Sequence, residues 1–531
     1  MTFNLKLMLS ETEAEFRRLP KLFHLDDYER CLERKDGIYC LGMFDVYSDV
    51  TPNPVYDIIQ EKSQDLSLYN RSYLHRGYCL PTRCPSSEAN ETARFERCVD
   101  AWARSHALRT RLHTLHYCRA HGQPRPLGPD TNDLPHRVVL YFTYTMLVMA
   151  LVGTVYDLFI AKKGSKNPLL TSFSIRINWK QLTSNYQDVD PRLRDLESFQ
   201  TLRMYPLYLL LNGFAATWWK SIGDGPMWPV LVGAESENCR KKFWITAAFL
   251  QNFIQKRDLC LVQTWIMAVD LQLHMLILFL TLLLHKHRQH AVKVLSVLFV
   301  VATGLLAYKA FTEDLIPTYL YTNPEAYRNF FAAGGADSFF DLYIHPINGA
   351  MSAIAGSMIA FIHMDHQERN IKMSRSKVLV FLHHIATPFG VVWLYLAYPY
   401  FRHYDRWTQN LMVVIERLVG AISTSFFIYS IVNHKGLFHQ IARSLRTVTR
   451  LSFSVSMCHW CIMILLYTDR WILQDSSYLR VFSDVIVVHV LSHIVAVPLT
   501  LLVEYPLQKF MERLINITGH RWFSPLKAKA Q

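Results

Sequence analysis

Long apolar stretches alternate with short polar segments along most of the chain after residue 137. Nine of these stretches are long enough for a membrane-spanning helix of about 20 residues. They cover residues 138–161, 204–220, 262–284, 291–312, 343–363, 377–398, 411–432, 451–472 and 483–504. The segment 243–255 is too short to span and suits a helix lying at the membrane interface. The pattern predicts an all-α fold, a multi-pass helical membrane bundle of about nine spans.

The first 137 residues are more polar and contain six of the ten cysteines, which are Cys31, Cys40, Cys79, Cys84, Cys98 and Cys118. Such a cluster predicts a small, disulfide-rich, mainly helical domain in an oxidising lumen or outside the cell. Six cysteines allow 15 pairings, and the sequence does not choose among them. In "CLPTRC" the short gap suggests that Cys79 and Cys84 belong to different disulfides. Asn70 and Asn90 begin "NRS" and "NET" and are predicted glycosylation acceptors.

The net charge of +13 is not evenly distributed over the loops. If the N-terminal domain is outside, the loops on the inner side carry 24 Lys and Arg residues, and those on the outer side carry 10. The positive-inside rule therefore predicts a lumenal or extracellular N-terminus and a cytosolic C-terminus, in the plasma membrane or endoplasmic reticulum. The same topology places Cys239 and Cys260 outside, where they can pair. The sequence contains no nucleic-acid-binding motif, so membrane lipids or hydrophobic small molecules are the expected partners.

One feature fits this topology poorly. The first 30 residues contain no apolar core of signal-peptide length. We expect either that the first span carries the domain across the membrane or, as the favoured interpretation, that the natural chain begins further upstream.

Several motifs occur in an order that resembles the nose-resistant-to-fluoxetine family. They are "DDYERC…GIYC" and "RGYCLPTRC" in the N-terminal domain, "LLTSFSIRINWKQLTS" after the first span, "LRMYPLY…GDGPMWP", "NCRKKFWITAAFLQNF", "LCLVQTWIMAVDLQLHM" and "LVEYPLQKFMERL". The resemblance covers nearly the whole chain. It implies an extracellular cysteine-rich domain (1–137), a first span (138–161), a cytosolic linker (162–200), an acyltransferase type 3 membrane domain (201–514) and a cytosolic tail (515–531). The implied activity transfers an acyl group, other than aminoacyl, from acyl-CoA to a hydroxyl.

The sequence departs from the family pattern directly before "LRMYPLY". In the family, the linker is followed by a helix whose histidine is taken as the catalytic base, and then by a second helix. Here "RDLESFQT" runs straight into "LRMYPLY", so both helices are absent and eleven spans become nine. We therefore expect weak or no acyl transfer.

Ionisable side chains inside predicted spans are the candidates for chemistry, because burying them in a membrane is costly. They are Asp270, His274, Lys309, His383, His384, Glu416, Arg417, His459, His489 and His493. Asp270 and His274 are four residues apart on one helix face and are the predicted catalytic pair. The alternative is a structural hydrogen bond between helices.

Two arginines are candidates for binding substrate. Arg203 and Arg417 match arginines of the family, and Arg203 is suited to the phosphates of an acyl-CoA. The alternatives are a basic flank of a span for Arg203 and packing or snorkelling for Arg417. We expect no metal and no cofactor other than acyl-CoA as donor substrate, since His489 and His493 have no third ligand at a suitable spacing. Cys458 and Cys461 are expected to be buried structural thiols, and Ser352 and Gly356 to pack helices closely.

Two functions follow from these observations. The first is an acyltransferase-type-3-like membrane protein whose activity is weak or lost. The second is a non-catalytic membrane protein that binds or transports lipids or other hydrophobic small molecules.

Overall fold

The computed structural model shows a disulfide-bonded domain followed by a helical membrane domain. It describes residues 18–64, 70–85, 88, 90–123, 133–161, 167–183, 200–317, 338–370, 389, 392–393, 405–433, 445–468 and 477–514. The predicted span 377–398, with His383 and His384, lies almost entirely outside these residues.

The N-terminal domain is built on a four-stranded sheet in the order β1-β3-β2-β4. Its strands are β1 (Phe23–Leu25), β2 (Ile38–Tyr47), β3 (Tyr73–Cys79) and β4 (Arg109–Ala120). Strand β2 pairs antiparallel with both β3 and β4, and β1 pairs parallel with β3. Helices α1 (Tyr28–Glu33), α2 (Pro54–Gln64), α3 (Leu80–Arg83) and α4 (Glu91–Arg104) connect the strands. The domain expected to be mainly helical is therefore a mixture of sheet and helices, and the all-α class is not fully confirmed.

The physical reason for the sheet is visible in β2. Its sequence "IYCLGMFDVY" is rich in aromatic and β-branched residues, which favour strands, and most of its side chains are buried. Phe44 of β2 packs edge-on against Phe95 of α4, with ring centroids 5.1 Å apart. The sheet and α4 therefore share one small apolar core.

Three disulfides close this domain. They join Cys31 to Cys79, Cys40 to Cys118 and Cys84 to Cys98. Cys40 and Cys118 face each other directly in the β2–β4 register. Cys79 and Cys84 belong to different bridges, as the spacing of "CLPTRC" suggested.

Both predicted glycosylation acceptors lie in this domain. Asn70 Oδ1 accepts a hydrogen bond from the Ser72 backbone N–H at 2.8 Å. Asn90 caps the N-terminus of α4 by accepting from Thr92 and Ala93 N–H. Their glycosylation stays a prediction.

The membrane domain is helical. Its helices are α5 (Leu134–Val155), α6 (Pro168–Thr171), α7 (Ile175–Thr183), α8 (Gln200–Thr217), α9 (Ala234–Ala247), α10 (Trp265–His285), α11 (Arg288–Thr312), α12 (Pro346–Glu368), α13 (Arg406–Asn433), α14 (Arg446–Arg450), α15 (Ser452–Thr468) and α16 (Tyr478–Leu499). π-Helical turns extend α5 through Tyr156–Ile160 and α16 through Thr500–Glu504.

Six helical segments are long and apolar enough to cross a membrane within the described ranges. They are Leu134–Ile160, Val262–His285, Arg288–Thr312, Phe339–Glu368, Arg406–Tyr429 and Leu479–Leu514. The chain is therefore an integral membrane protein. Of the other predicted spans, 204–220 falls on α8 and 451–472 on the shorter helix α15, so nine spans are not reached among the described residues.

The membrane helices pack around two apolar clusters. One lies between α8, α9 and α15 and includes Trp219, Trp228 and Trp460. The other lies between α11, α12 and α13 and includes Leu306, Met351 and Val413. The disulfide Cys239–Cys260 ties α9 to the segment that leads into α10, so these two cysteines pair as expected.

Candidate functional site

Polar side chains follow one face of α10. Asp270, His274, Thr281 and His285 are spaced by four, seven and four residues, which places them along a single stripe of a helix. Arg288 continues the stripe at the start of α11. Polar and charged groups are costly in a membrane unless they face a cavity or a partner, so this stripe is the strongest candidate for chemistry.

The helix opposite this stripe carries small residues. Gly349, Ser352 and Gly356 of α12 recur at intervals of three and four residues and, together with Ser357, face α10. A Cβ atom added at Gly349 would meet Leu273 Cδ1 at 2.6 Å, whereas one added at Gly356 would meet nothing within 4 Å. The two helices therefore approach each other closely near Gly349 and leave space beside Gly356.

That space is a cavity of about 710 Å³ between α10 and α12. Asp270, His274, Thr281 and His285 line one wall, and Ser352 and Gly356 line the other. Ser352 and Gly356 were expected to pack helices closely; instead both border the cavity. Arg288 closes one end, where its Nη1 lies 3.1 Å from Glu368 Oε1.

Asp270 and His274 both face this cavity, and each is exposed to it. Within the described part of the chain no hydrogen bond joins the two side chains. The structure thus brings the predicted catalytic pair to one cavity, but without the carboxylate–imidazole hydrogen bond that orients a general base. Their catalytic role stays a prediction.

Neither of the two predicted substrate-binding arginines is among the described side chains that line this cavity. Arg203 lies in the first turns of α8, and its side chain is not described. Arg417 lies in α13 with its side chain 14% exposed, and its Nη1 is 3.4 Å from Glu416 Oε1. Among the described residues Arg288 lines the cavity, and no sequence pattern had indicated it.

The remaining candidates make local contacts. Lys309 pairs with Glu313 at 2.6 Å, and His459 Nδ1 lies 2.8 Å from the Ser456 carbonyl oxygen. His493 Nδ1 lies 2.8 Å from the His489 carbonyl oxygen. Cys458 and Cys461 are free thiols and buried. These contacts are typical of structural roles in a helical bundle.

The structure contains a buried carboxylate, Glu504, that no sequence pattern indicated as a candidate. Glu504 is 1% exposed in the π-helical turn after α16. Ser454 donates a hydrogen bond to Glu504 Oε2 at 2.7 Å, and Thr500 lies 3.3 Å from the same oxygen. The acid in "LVEYP" was visible in an apolar run, but its hydroxyl partner on α15 is 50 residues away in sequence.

A second such acid is Glu235, in the first turn of α9. Trp460 Nε1 donates to both carboxyl oxygens, at 3.1 and 3.2 Å. Burial raises the pKa of Glu235 to about 7, although hydrogen bonds from Trp460 and from the backbone N–H groups of Val262 and Leu261 oppose the shift. No local sequence signal indicates this contact, because Trp460 follows Glu235 by 225 residues.

Fold and site together define a class: an integral membrane protein with a disulfide-bonded α+β domain and a polar cavity between two of its spans. A stretch of 189 residues is 26% identical to nose resistant to fluoxetine protein 6 of Caenorhabditis elegans. The matched stretch covers 34% of this chain and only 22% of that protein, and it supports a distant relationship.

Two other comparisons gave no match. No protein-family model matches the chain, and no solved structure does. The acyltransferase module that the resemblance implies is therefore still a prediction.

Proposed function

We propose that this protein is an acyltransferase-like membrane protein that binds an acyl-CoA, or a related anionic amphiphile, in the α10–α12 cavity. The cavity itself carries this proposal. Its volume of about 710 Å³ lies in the range of small-molecule sites, roughly 300–1,000 Å³. Polar groups line one wall and small residues leave room on the other, so an acyl chain and a polar head can share it.

An anionic head group would take the place of Glu368, whose Oε1 accepts a hydrogen bond from Arg288 Nη1 at 3.1 Å. Arg288 stands at one end of the cavity, and arginine binds phosphate groups through its planar fork of donors. Asp270 lies further along the same wall and would repel an anion, so the head group belongs at the Arg288 end. By the predicted topology that end faces the cytosol, where acyl-CoA is found.

We further propose that acyl transfer by this protein is weak or lost. The family-like histidine helix is absent from the sequence, and Asp270 and His274 are not hydrogen-bonded to each other. Binding without transfer, as in a lipid-binding or transporting protein, is the alternative that the missing hydrogen bond favours. Reconstituted protein that transfers labelled acyl groups at a rate lost in Asp270→Ala would contradict this expectation.

Binding is tested with the purified full-length protein in nanodiscs and a fluorescent palmitoyl-CoA. The Gly356→Leu variant places a side chain in the open space of the cavity. Loss of about 2 kcal/mol of binding free energy would weaken the apparent affinity roughly thirtyfold. Gly304→Leu is the matched control, because Gly304 also has open space around its Cβ position but lies on α11 outside the cavity. Equal binding by both variants and the wild type would refute the site.

A further inference from the structure

The N-terminal domain contains a cavity of its own, of about 510 Å³, beside the Cys84–Cys98 disulfide. It lies between the end of β3, α3 and α4, and it shares no lining residue with the α10–α12 cavity. Its volume is within the range of roughly 300–1,000 Å³ found for small-molecule sites. The domain therefore has room for a ligand that the proposed function does not involve.

The lining of this cavity combines apolar surface with an excess of positive charge. Tyr78, Ala101 and Trp102 contribute the apolar part. Glu88 is the single acid in the lining among the described residues, and it is outnumbered by three arginines, which are Arg83, Arg94 and Arg97. Like charges repel and opposite charges attract, so the cavity disfavours a cation and favours an anion.

Arg94 differs from the other two arginines in its partners. Arg83 lies 2.6 Å from Asp26, and Arg97 lies 3.3 Å from Glu88. Arg94 forms no salt bridge with the described residues; its Nε and Nη2 donate to two backbone carbonyl oxygens of α3 and its C-cap, at 2.7 and 3.2 Å. Its Nη1 has no hydrogen-bond partner among the described residues and remains accessible. The guanidinium is thus held in place with its Nη1 left for a ligand.

A second cation without an acidic partner lies against the aromatic part of the lining. Arg76 of β3 is 1% exposed, and its guanidinium carbon is 4.6 Å from the centre of the Trp102 ring. Its Nη1 donates to the neutral carbonyl oxygens of Leu22 and His75. Burial lowers the pKa of Arg76 to about 10, so the side chain still carries its charge at neutral pH. Solvent screens a buried charge weakly, and Arg76 therefore adds to the positive potential in the cavity.

From the cavity and its two arginines without acidic partners we infer that the N-terminal domain binds an organic oxyanion with an apolar body, either a carboxylate or a phosphate monoester. Arg94 Nη1 donates to the oxyanion, since a guanidinium matches the geometry of both head groups. The rings of Tyr78 and Trp102 pack against the apolar body. By the predicted topology this ligand comes from the lumen or the cell exterior, whereas acyl-CoA comes from the cytosol.

The test uses the full-length protein in phosphatidylcholine nanodiscs and a trifluoromethyl-labelled octanoate, whose fluorine NMR signal broadens on binding. Empty nanodiscs give the broadening that is due to the bilayer alone. We expect unlabelled octanoate or octyl phosphate to restore the sharp signal, and the stronger competitor identifies the head group. Octylammonium, which has the same chain and the opposite charge, should not compete.

Two variants test the lining independently. Arg94→Gln removes the charge but keeps an amide donor, and should weaken binding at least about tenfold, the value of one hydrogen bond to a charged group. Arg104→Gln is the matched control, because Arg104 lies on the same helix, pairs with Asp100 and does not line the cavity. Ala101→Phe fills the cavity from an exposed position and should weaken binding without disturbing Arg94.

Three results would overturn the inference. One is equal broadening with empty nanodiscs, which indicates partition into the bilayer only. Another is equal competition by octylammonium and octanoate, which shows that the site does not distinguish charge. The third is unchanged binding in Arg94→Gln or in Ala101→Phe, which places the probe elsewhere. Gly356→Leu should leave this binding intact, so failure here is distinguishable from failure of the proposed acyl-CoA site.

Discussion

Glu235 shows how one side chain can make the stability of the fold depend on pH. Its carboxyl group is held against Trp460 and two backbone N–H groups, and burial raises its pKa to about 7. A raised pKa means that the folded state favours the protonated acid. The contribution to stability is complete below the unfolded-state pKa, near 4.5, and is lost as the pH rises through about 7.

We therefore predict that the full-length protein in detergent becomes less stable between pH 5 and pH 8. In Glu235→Gln this part of the pH dependence should disappear, because glutamine keeps an acceptor for Trp460 without ionising. The difference between wild type and variant should grow to on the order of 3 kcal/mol at pH 8. Thermal unfolding followed by tryptophan fluorescence measures it, and parallel pH curves for the two proteins would contradict the prediction.

The sequence identifies single residues only when their own neighbourhood in the chain is informative. Asp270 and His274 stand out because they interrupt an apolar run at helical spacing, and both do line the α10–α12 cavity. Glu235 and Trp219 have no such signal. Glu235 accepts a hydrogen bond from Trp460 on α15, far away in the sequence. Only the packed structure shows that the buried indole of Trp219 has no hydrogen-bond partner among the described residues.

At the scale of elements, the end of the first span is locked to the segment that follows it. A Cβ atom added at Gly153 of α5 would lie 2.7 Å from the Leu170 carbonyl oxygen and 2.9 Å from Phe173 atoms. Ser174 and Arg176 both donate to Asp157 Oδ2, at 3.1 and 2.8 Å. The absence of a side chain at Gly153 allows this close approach.

We predict that Gly153→Ala destabilises the protein by about 2 kcal/mol, since the obstructing atoms are two backbone atoms and the Phe173 Cβ, which move only with their segment. Gly304→Ala in α11 is the control: it meets nothing within 4 Å and should be neutral or stabilising by up to about 1 kcal/mol. Apparent melting temperatures in one detergent compare the two. Equal effects of both substitutions would show that the α5 contact is not tight.

Most membrane helices were predictable from the sequence, because about 20 apolar residues in a row have few other structures available. The sheet of the N-terminal domain was not. The prediction for that domain was based mainly on its six cysteines, which do not indicate strands. In addition, β2 lacks the simple alternation of apolar and polar residues, because most of its side chains are buried. The pairing of Cys40 with Cys118 likewise depends on strand register, which the spacing of cysteines does not contain.

At the scale of the whole molecule, an ion pair joins the two domains. Arg119 of β4 lies 2.9 Å from Asp224, and Tyr28 donates to the same carboxylate at 3.3 Å. Tyr117 also donates to the Pro226 carbonyl oxygen at 2.7 Å. The segment that contains Asp224 and Pro226 directly follows Trp219 and Ile222. These two residues line an apolar cavity of about 460 Å³ between α5, α8, α15 and α16. The N-terminal domain therefore supports one wall of that cavity.

We predict that Asp224→Asn loosens this junction, because Arg119, whose side chain is only 11% exposed, loses its counter-charge. Hydrogen–deuterium exchange of the full-length protein should become faster in β4 and in residues 222–228, and remain unchanged in α11. Asp36→Asn is the matched control: its partner Arg34 and Asp36 itself are 48% and 62% exposed, so that pair contributes little. An Arg119→Gln/Asp224→Asn double variant should be less destabilised than the sum of the single changes. Additive effects would mean that the two side chains do not couple the domains.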